Sequence, residues 1–123
     1  MKLNVGDYVR TQNHNGFAGG IAKILKIEHD ERLKKDWLTL DRALDHISFL
    51  EMSSNVIKSS PNIIDLIEFG DYVNGKLVED IFDKTNYADK SIKLKGSGDY
   101  WYNEHIKSIV TKEQFKQMEY KIN

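Results

Sequence analysis

The sequence predicts a mainly β protein built as two small barrels in tandem, and three observations predict it. The tetrapeptide Gly-Asp-Tyr-Val stands at positions 6–9 and again at 70–73. A second match, Asp45-His46-Ile47 against Glu104-His105-Ile106, follows each copy at a spacing that differs by one short loop. Apolar and polar residues alternate in short runs separated by Gly, Asn and Asp, the pattern of half-buried strands joined by tight turns. A unit of about 60 residues, written twice, satisfies all three.

The elements follow in order. Leu3-Asn4-Val5-Gly6-Asp7-Tyr8-Val9-Arg10-Thr11 alternates with period two and is expected as the first strand. Residues 12–20 are rich in Asn and Gly and form a loop. Residues 21–27 are the second strand, the charged stretch 29–36 a hairpin tip with a short helical turn as the alternative, Trp37-Leu38-Thr39-Leu40 the third strand and residues 46–50 the fourth. Trp37, heading an apolar strand, is expected in the core. The second unit repeats this order, with strands at 67–73, 76–82, 91–95, 100–102 and 106–110. Asn74-Gly75 is a strong two-residue hairpin signal. Ser60-Pro61 reads as a cap and first turn of a short helix over 61–66. Thr111-Lys112-Glu113-Gln114 has capping-box spacing, with Phe115 and Met118 on the buried face of the helix it opens. Tyr120-Lys121-Ile122 is expected as an edge strand.

Strands this short, turned this sharply, suit barrels of the SH3-like type. The predicted division is residues 1–56 for the first unit and 57–123 for the second, with one or two short helices and a linker through Pro61, the single proline of the 123 residues. Units of this size bury only about 60% of their unfolded surface, so the two are expected to share an interface.

Composition narrows the function. Net charge is −1, and the basic and acidic residues are spread evenly over both halves. The basic face or tail that phosphate binding favours is missing from the sequence. There is no cysteine, which removes disulfides and thiolate metal sites and suits a reducing cytoplasm. No apolar run approaches the length of a membrane span, and the N-terminus lacks a signal-peptide core. His14, His29, His46 and His105 have no metal-ligand spacing, and no serine or threonine sits in a nucleophile motif. The expectation is no enzyme activity, no cofactor and no metal. Asp7 and Asp71, at matching places, are expected to brace turns through backbone N–H groups, and His46 and His105 to share one structural role.

Val5-Gly6-Asp7-Tyr8-Val9 followed by Gly16, Gly19 and Ile21 resembles the KOW signature of SH3-like barrels in ribosomal and transcription-elongation proteins. That resemblance implies loops able to touch RNA or a polymerase. The phrases Ser60-Pro61-Asn62-Ile63-Ile64-Asp65-Leu66-Ile67-Glu68-Phe69-Gly70-Asp71-Tyr72-Val73-Asn74-Gly75 and Ile106-Lys107-Ser108-Ile109-Val110-Thr111-Lys112-Glu113-Gln114-Phe115 are similar to segments of small bacteriophage and prophage proteins. This second resemblance spans roughly residues 57–123. It implies a mobile-element origin and carries no catalytic residue.

The candidate contact residues for a partner are those that distinguish the halves. Phe17 is a large apolar side chain in a glycine-rich loop. Arg32, Lys34 and Lys35 crowd the hairpin tip, although Asp30, Glu31 and Asp36 are interleaved with them. Tyr100 and Tyr102 flank Trp101 in a strand, where alternation sends neighbours to opposite faces. The leading functional expectation is a cytoplasmic accessory protein of a phage-bearing bacterial host that binds and modulates another protein. A defence nuclease or nuclease–RNA complex, inhibited as by an anti-CRISPR, is its specific form. A nucleic-acid-binding SH3/KOW-like module and a phage structural or assembly protein are the alternatives. No membrane partner is expected.

Overall fold

A computed structural model describes residues 2–12, 19–41 and 48–118. The chain is mainly β, with two antiparallel five-stranded sheets, one of them a half-barrel, and few helical turns. Strands β1 (Tyr8–Thr11), β2 (Ile21–Asp30), β3 (Lys35–Asp41), β4 (Ser48–Met52) and β5 (Val56–Ser60) form the first sheet, in the order β4-β3-β2-β1-β5. Strands β6 (Tyr72–Val73), β7 (Lys76–Phe82), β8 (Ser91–Leu94), β9 (Tyr100–Trp101) and β10 (Ile109–Val110) form the second, in the order β10-β6-β7-β8-β9. Read from the other edge, the second order is that of the first. In each, a 3₁₀ turn (Ser53–Asn55 or Asn103–His105) precedes a last strand that returns beside the first one.

The likeness reaches single hydrogen bonds. The register of β2 on β3 shifts between Ile24 and Lys26, and that of β7 on β8 between Val78 and Asp80. Ile24 N–H donates to the Asp7 carbonyl (2.8 Å) and Val78 N–H to the Asp71 carbonyl (2.9 Å). Ahead of β1, Asp7 N–H closes a turn on the Asn4 carbonyl (3.1 Å); ahead of β6, Asp71 N–H closes one on Glu68 (3.2 Å). Gly6 and Gly70 occupy the same position in these turns, at φ +95° and +93°. A side chain is strained there by about 1–2 kcal/mol. Nothing lies within 4 Å of a Cβ built on Gly6, and the Lys112 side chain sits 3.5 Å from one on Gly70. We therefore expect Gly6→Ala and Gly70→Ala each to lower unfolding stability by about 1–2 kcal/mol, measured as a shift in urea midpoint. An unchanged midpoint in both would show that the turns do not enforce this backbone state.

Each sheet covers its own apolar cluster. Val9, Ala22, Ile24, Leu38 and Leu40 pack together in the first, joined by Leu3, Ile27 and Val56 at the margin. Ile64, Ile67, Val73, Val78, Ile92, Leu94 and Ile109 pack in the second. Ile21, at the start of β2, packs against the second cluster rather than the first, so the two share a boundary. Helix α1 (Lys112–Met118) follows β10. Its capping box forms as expected: Gln114 N–H donates to Thr111 Oγ1 (3.3 Å) and Thr111 N–H to Gln114 Oε1 (2.8 Å). The Asn74-Gly75 turn also forms, with φ +51° and +82° joining β6 to β7.

Several expectations are corrected. Residues 56–60 form β5, which pairs with β1 in the first sheet across the expected division at 56/57. The helix expected over 61–66 is a 3₁₀ turn, Ile63–Leu66. Ser60 does not cap it: its hydroxyl accepts from Asn62 N–H (3.0 Å) and donates to Asp65 (2.6 Å). Of the strand expected at 67–73 only Tyr72–Val73 pairs as a strand, because the turn at Gly70 precedes it. Trp37 is half-buried rather than core: Leu38 and Leu40 take the inner face of β3, so alternation puts Trp37 on the other, where its indole N–H donates to Asp30 (3.2 Å). Phe115 is partly exposed and stacks on Tyr72. His105 closes the 3₁₀ turn after β9. His46, the Met118 side chain and residues 120–122 lie outside the described residues.

Candidate protein-interaction surface

Arg10 holds the two sheets together. Val9 points into the first core, so alternation along β1 turns Arg10 to the opposite face, against the second half of the chain. There its side chain is 0% exposed. Nη1 donates to the Leu66 carbonyl (2.8 Å) and to Asp71 Oδ2 (2.5 Å). Nη2 donates to Asp71 Oδ1 (2.8 Å) and Glu113 Oε2 (2.6 Å). Nε makes no hydrogen bond but lies 3.4 Å from Glu68 Oε2. Lys58 and Lys112 reach Glu68 from outside, at 3.3 and 2.8 Å. Three cations thus face three carboxylates drawn from β1, β5, the Gly70 turn and α1. Asp71 also braces its turn as expected, accepting N–H from Glu68 (2.8 Å) and from Lys112 (3.0 Å). Asp7, its counterpart, accepts from the side-chain amide of Asn4 (3.4 Å) rather than from a backbone N–H.

Burial opposes the charge on Arg10, but the hydrogen bonds and charges of Asp71 and Glu113 outweigh it, and its pKa is raised. Partial burial likewise works against an ionised Glu68. The Lys112 hydrogen bond and the charges of Arg10, Lys58 and Lys112 overcome it and hold the carboxyl below its ordinary 4.5. A lowered folded pKa contributes stability above the unfolded value and loses it as pH falls through the folded one. Unfolding stability is therefore expected to be level above pH 4.5 and to fall below it, with Glu68→Gln showing a shallower fall in thermal melts across that range. A Glu68→Gln profile parallel to the wild type would show that this carboxylate is not linked to folding.

The hairpin tip is self-neutralised. Asp30 Oδ1 accepts N–H from Leu33 (3.0 Å) and Arg32 (2.9 Å); the Leu33 bond first, then the Trp37 indole and Arg32, lower the Asp30 pKa. Lys34 lies 3.5 Å from Glu31, and His29 Nδ1 lies 2.8 Å from Asp36. Arg32, Lys34 and Lys35 are all exposed on this turn, among those carboxylates.

The aromatic residues gather elsewhere, on the second sheet. Ile81, Ile92 and Trp101 face inward across β7, β8 and β9, which leaves Phe82 and Tyr100 outward. Their rings meet edge to face at 5.4 Å, with Tyr100 56% and Phe82 37% exposed. Tyr87, in the following loop, is 98% exposed. Tyr102 is half-buried beside His105, whose Nδ1 accepts the Tyr102 N–H (3.1 Å). The predicted contact residues therefore fall into two groups on different sheets, Arg32/Lys34/Lys35 and Tyr100/Tyr102. Phe17 lies outside the described residues. Phe82, Tyr87 and Arg10 were not anticipated. Phe82 follows the inward Ile81 at the end of β7, and two successive apolar residues in a strand cannot both face the core, which is the signal that marks it.

A cleft of about 660 Å³ adjoins this surface, lined by Asp65, Asp83, Lys90, Tyr102, Asn103 and Glu104 among others. Lys90 stands between Asp65 (3.7 Å) and Asp83 (3.9 Å), so its charge is already matched. Among the described residues no group of His, Asp and Glu is arranged to hold a metal ion, and no helix is long and apolar enough to cross a membrane. Comparison with family models, with curated proteins and with solved structures finds no match to this chain.

Proposed function

We propose that this chain is a small phage- or prophage-type accessory protein that binds and modulates another protein in the cytoplasm of a bacterial host. Inhibition of a defence nuclease or nuclease–RNA complex, in the manner of an anti-CRISPR, is its specific form. The observation that carries the reading is the outward Phe82–Tyr100 pair, with Tyr87 exposed in the loop that follows β7. Large aromatic side chains presented to solvent are the residue types that anchor protein interfaces. The two sheets are read as tandem SH3-like units, supported by their common strand order, matching register shifts and the 3₁₀ turn before each closing strand. Arg10 ties the first sheet to the Gly70 turn and α1, and a surface held in place before association lowers its ordering cost.

The test is capture from a phage-sensitive bacterial lysate with wild type, Tyr100→Ala and the pair Phe82→Ala/Tyr100→Ala. A stoichiometric protein partner held by the wild type and lost by the aromatic variants is expected. Steeply salt-dependent binding of DNA or RNA, with no protein retained, would move the assignment to the nucleic-acid module. Self-association by light scattering would move it to an assembly role. The interleaved carboxylates at 30, 31 and 36 weigh against the first of these.

A further inference from the structure

The doubled tetrapeptide places two tyrosines, Tyr8 and Tyr72, at the same step of matching strands, and their surroundings differ. The Tyr72 ring is covered by Phe115 of the helix that follows β10, with ring centroids 4.5 Å apart. The helical turn that follows β5, Ile63–Leu66, supplies no aromatic residue, and over Tyr8 there is instead a groove of about 290 Å³. Tyr8, Ile21, Ile63, Ile106 and Ile109 line it, so both halves of the chain contribute its walls. Asn103, Glu104, Lys107 and Ser108 complete the lining, and concave junctions that combine apolar walls with polar groups are where ligands seat.

The rim has a sign. Lys23, cross-strand from Tyr8, holds its ammonium 5.9 Å above the Tyr8 ring, and Lys107 reaches the carbonyl of Glu104 (3.5 Å). Neither lysine is ion-paired with a carboxylate among the described residues. The Glu104 carboxylate is the opposing charge in the lining. We propose that this groove docks an acidic segment of a partner protein through one apolar anchor residue, an aromatic one matching what Phe115 does over Tyr72. The anchor fills the apolar walls, and carboxylates beside it meet Lys23 and Lys107. This deepens the protein-binding function and rests on it.

The probes are three synthetic peptides: a phenylalanine flanked by Asp and Glu, the same with Lys flanks, and the acidic one with alanine at the anchor. Titration into isotope-labelled protein should shift the amide signals of Ile21, Ile63 and Ile106 with the first peptide. It should bind at least about tenfold more tightly than either control. Lys23→Glu/Lys107→Glu, changing two exposed side chains, should weaken it by a similar factor, about tenfold, whereas Tyr100→Ala should not. No saturable shift at those residues, or equal binding of the Lys-flanked peptide, would overturn the proposal. If a captured partner is lost by Tyr100→Ala and kept by Lys23→Glu/Lys107→Glu, the groove assignment fails and the protein-binding function stands. If nothing is captured, the latter fails.

Discussion

Arg10→Met is expected to lower unfolding stability by about 3–5 kcal/mol, the usual cost of removing one partner from a buried ion pair. Methionine has a similar reach along β1 and leaves the apolar neighbours covered, so the loss is electrostatic rather than a cavity. What it strands is Asp71, whose side chain is 0% exposed and which then keeps only the N–H donors of Glu68 and Lys112. Glu113, at 19% exposure, already reaches solvent and adds less. Against a typical total of about 5–15 kcal/mol, such a loss brings the fold near its limit. Urea denaturation measures it, and Arg10→Met/Asp71→Asn separates the cause. Removing both charges should recover part of the stability, because the double variant buries no unpaired carboxylate. A single variant within about 1 kcal/mol of the wild type would show that the cluster is not what joins the sheets. Arg10→Lys keeps the charge and loses the fork that meets both Asp71 oxygens, so an intermediate value is expected.

Nothing in the local sequence announces this. Val9-Arg10-Thr11 reads as an alternating strand, and a charged residue in its middle reads as a solvent-facing one. The partner that buries it lies 61 residues away. What was legible was local: the alternation of β3 and β8, the Asn74-Gly75 turn, the Thr111–Gln114 cap, the glycines of the doubled tetrapeptide. Each is set by neighbours within a few positions. β5 was not legible because its sequence, Val56-Ile57-Lys58-Ser59-Ser60, has no clean alternation, and only its pairing with β1 makes it a strand. For the candidate surface, alternation along 100–102 left one or more aromatic rings outward, and Tyr100 is one. That Phe82 from another strand would meet it required the register of three strands, which no single segment encodes. Trp37 shows the same limit from the other side, since Leu38 and Leu40 already satisfied the core.

Asn74→Ala is expected to cost about 2–3 kcal/mol, from two sources that a substitution series can separate. Asn74 is in the left-handed region at φ +51°, where asparagine is tolerated and alanine is strained by about 1 kcal/mol. Its side chain also ties the turn to a distant segment: Oδ1 accepts N–H from Lys107 (2.8 Å) and Ser108 (3.1 Å), and Nδ2 donates to the His105 carbonyl (3.0 Å). Asn74→Gly relieves the backbone strain and loses all three bonds. Asn74→Asp keeps the acceptor and loses the donor, so the order of stability in thermal melts should be Asn, then Asp, then Gly, then Ala. Alanine as stable as glycine would remove the backbone term; glycine as stable as asparagine would remove the tie. The tied segment leads into Ile106 and Ile109, two walls of the groove over Tyr8, so Asn74→Gly should also loosen that groove without touching it. Arg10 and Asn74 each immediately follow Gly-Asp-Tyr-Val, the first where the strand runs on to Thr11 and the second where it turns at once. The repeated tetrapeptide sets the same turn and strand start twice. The residue after it differs, and in each copy that residue fastens its strand to a part of the chain the tetrapeptide does not reach.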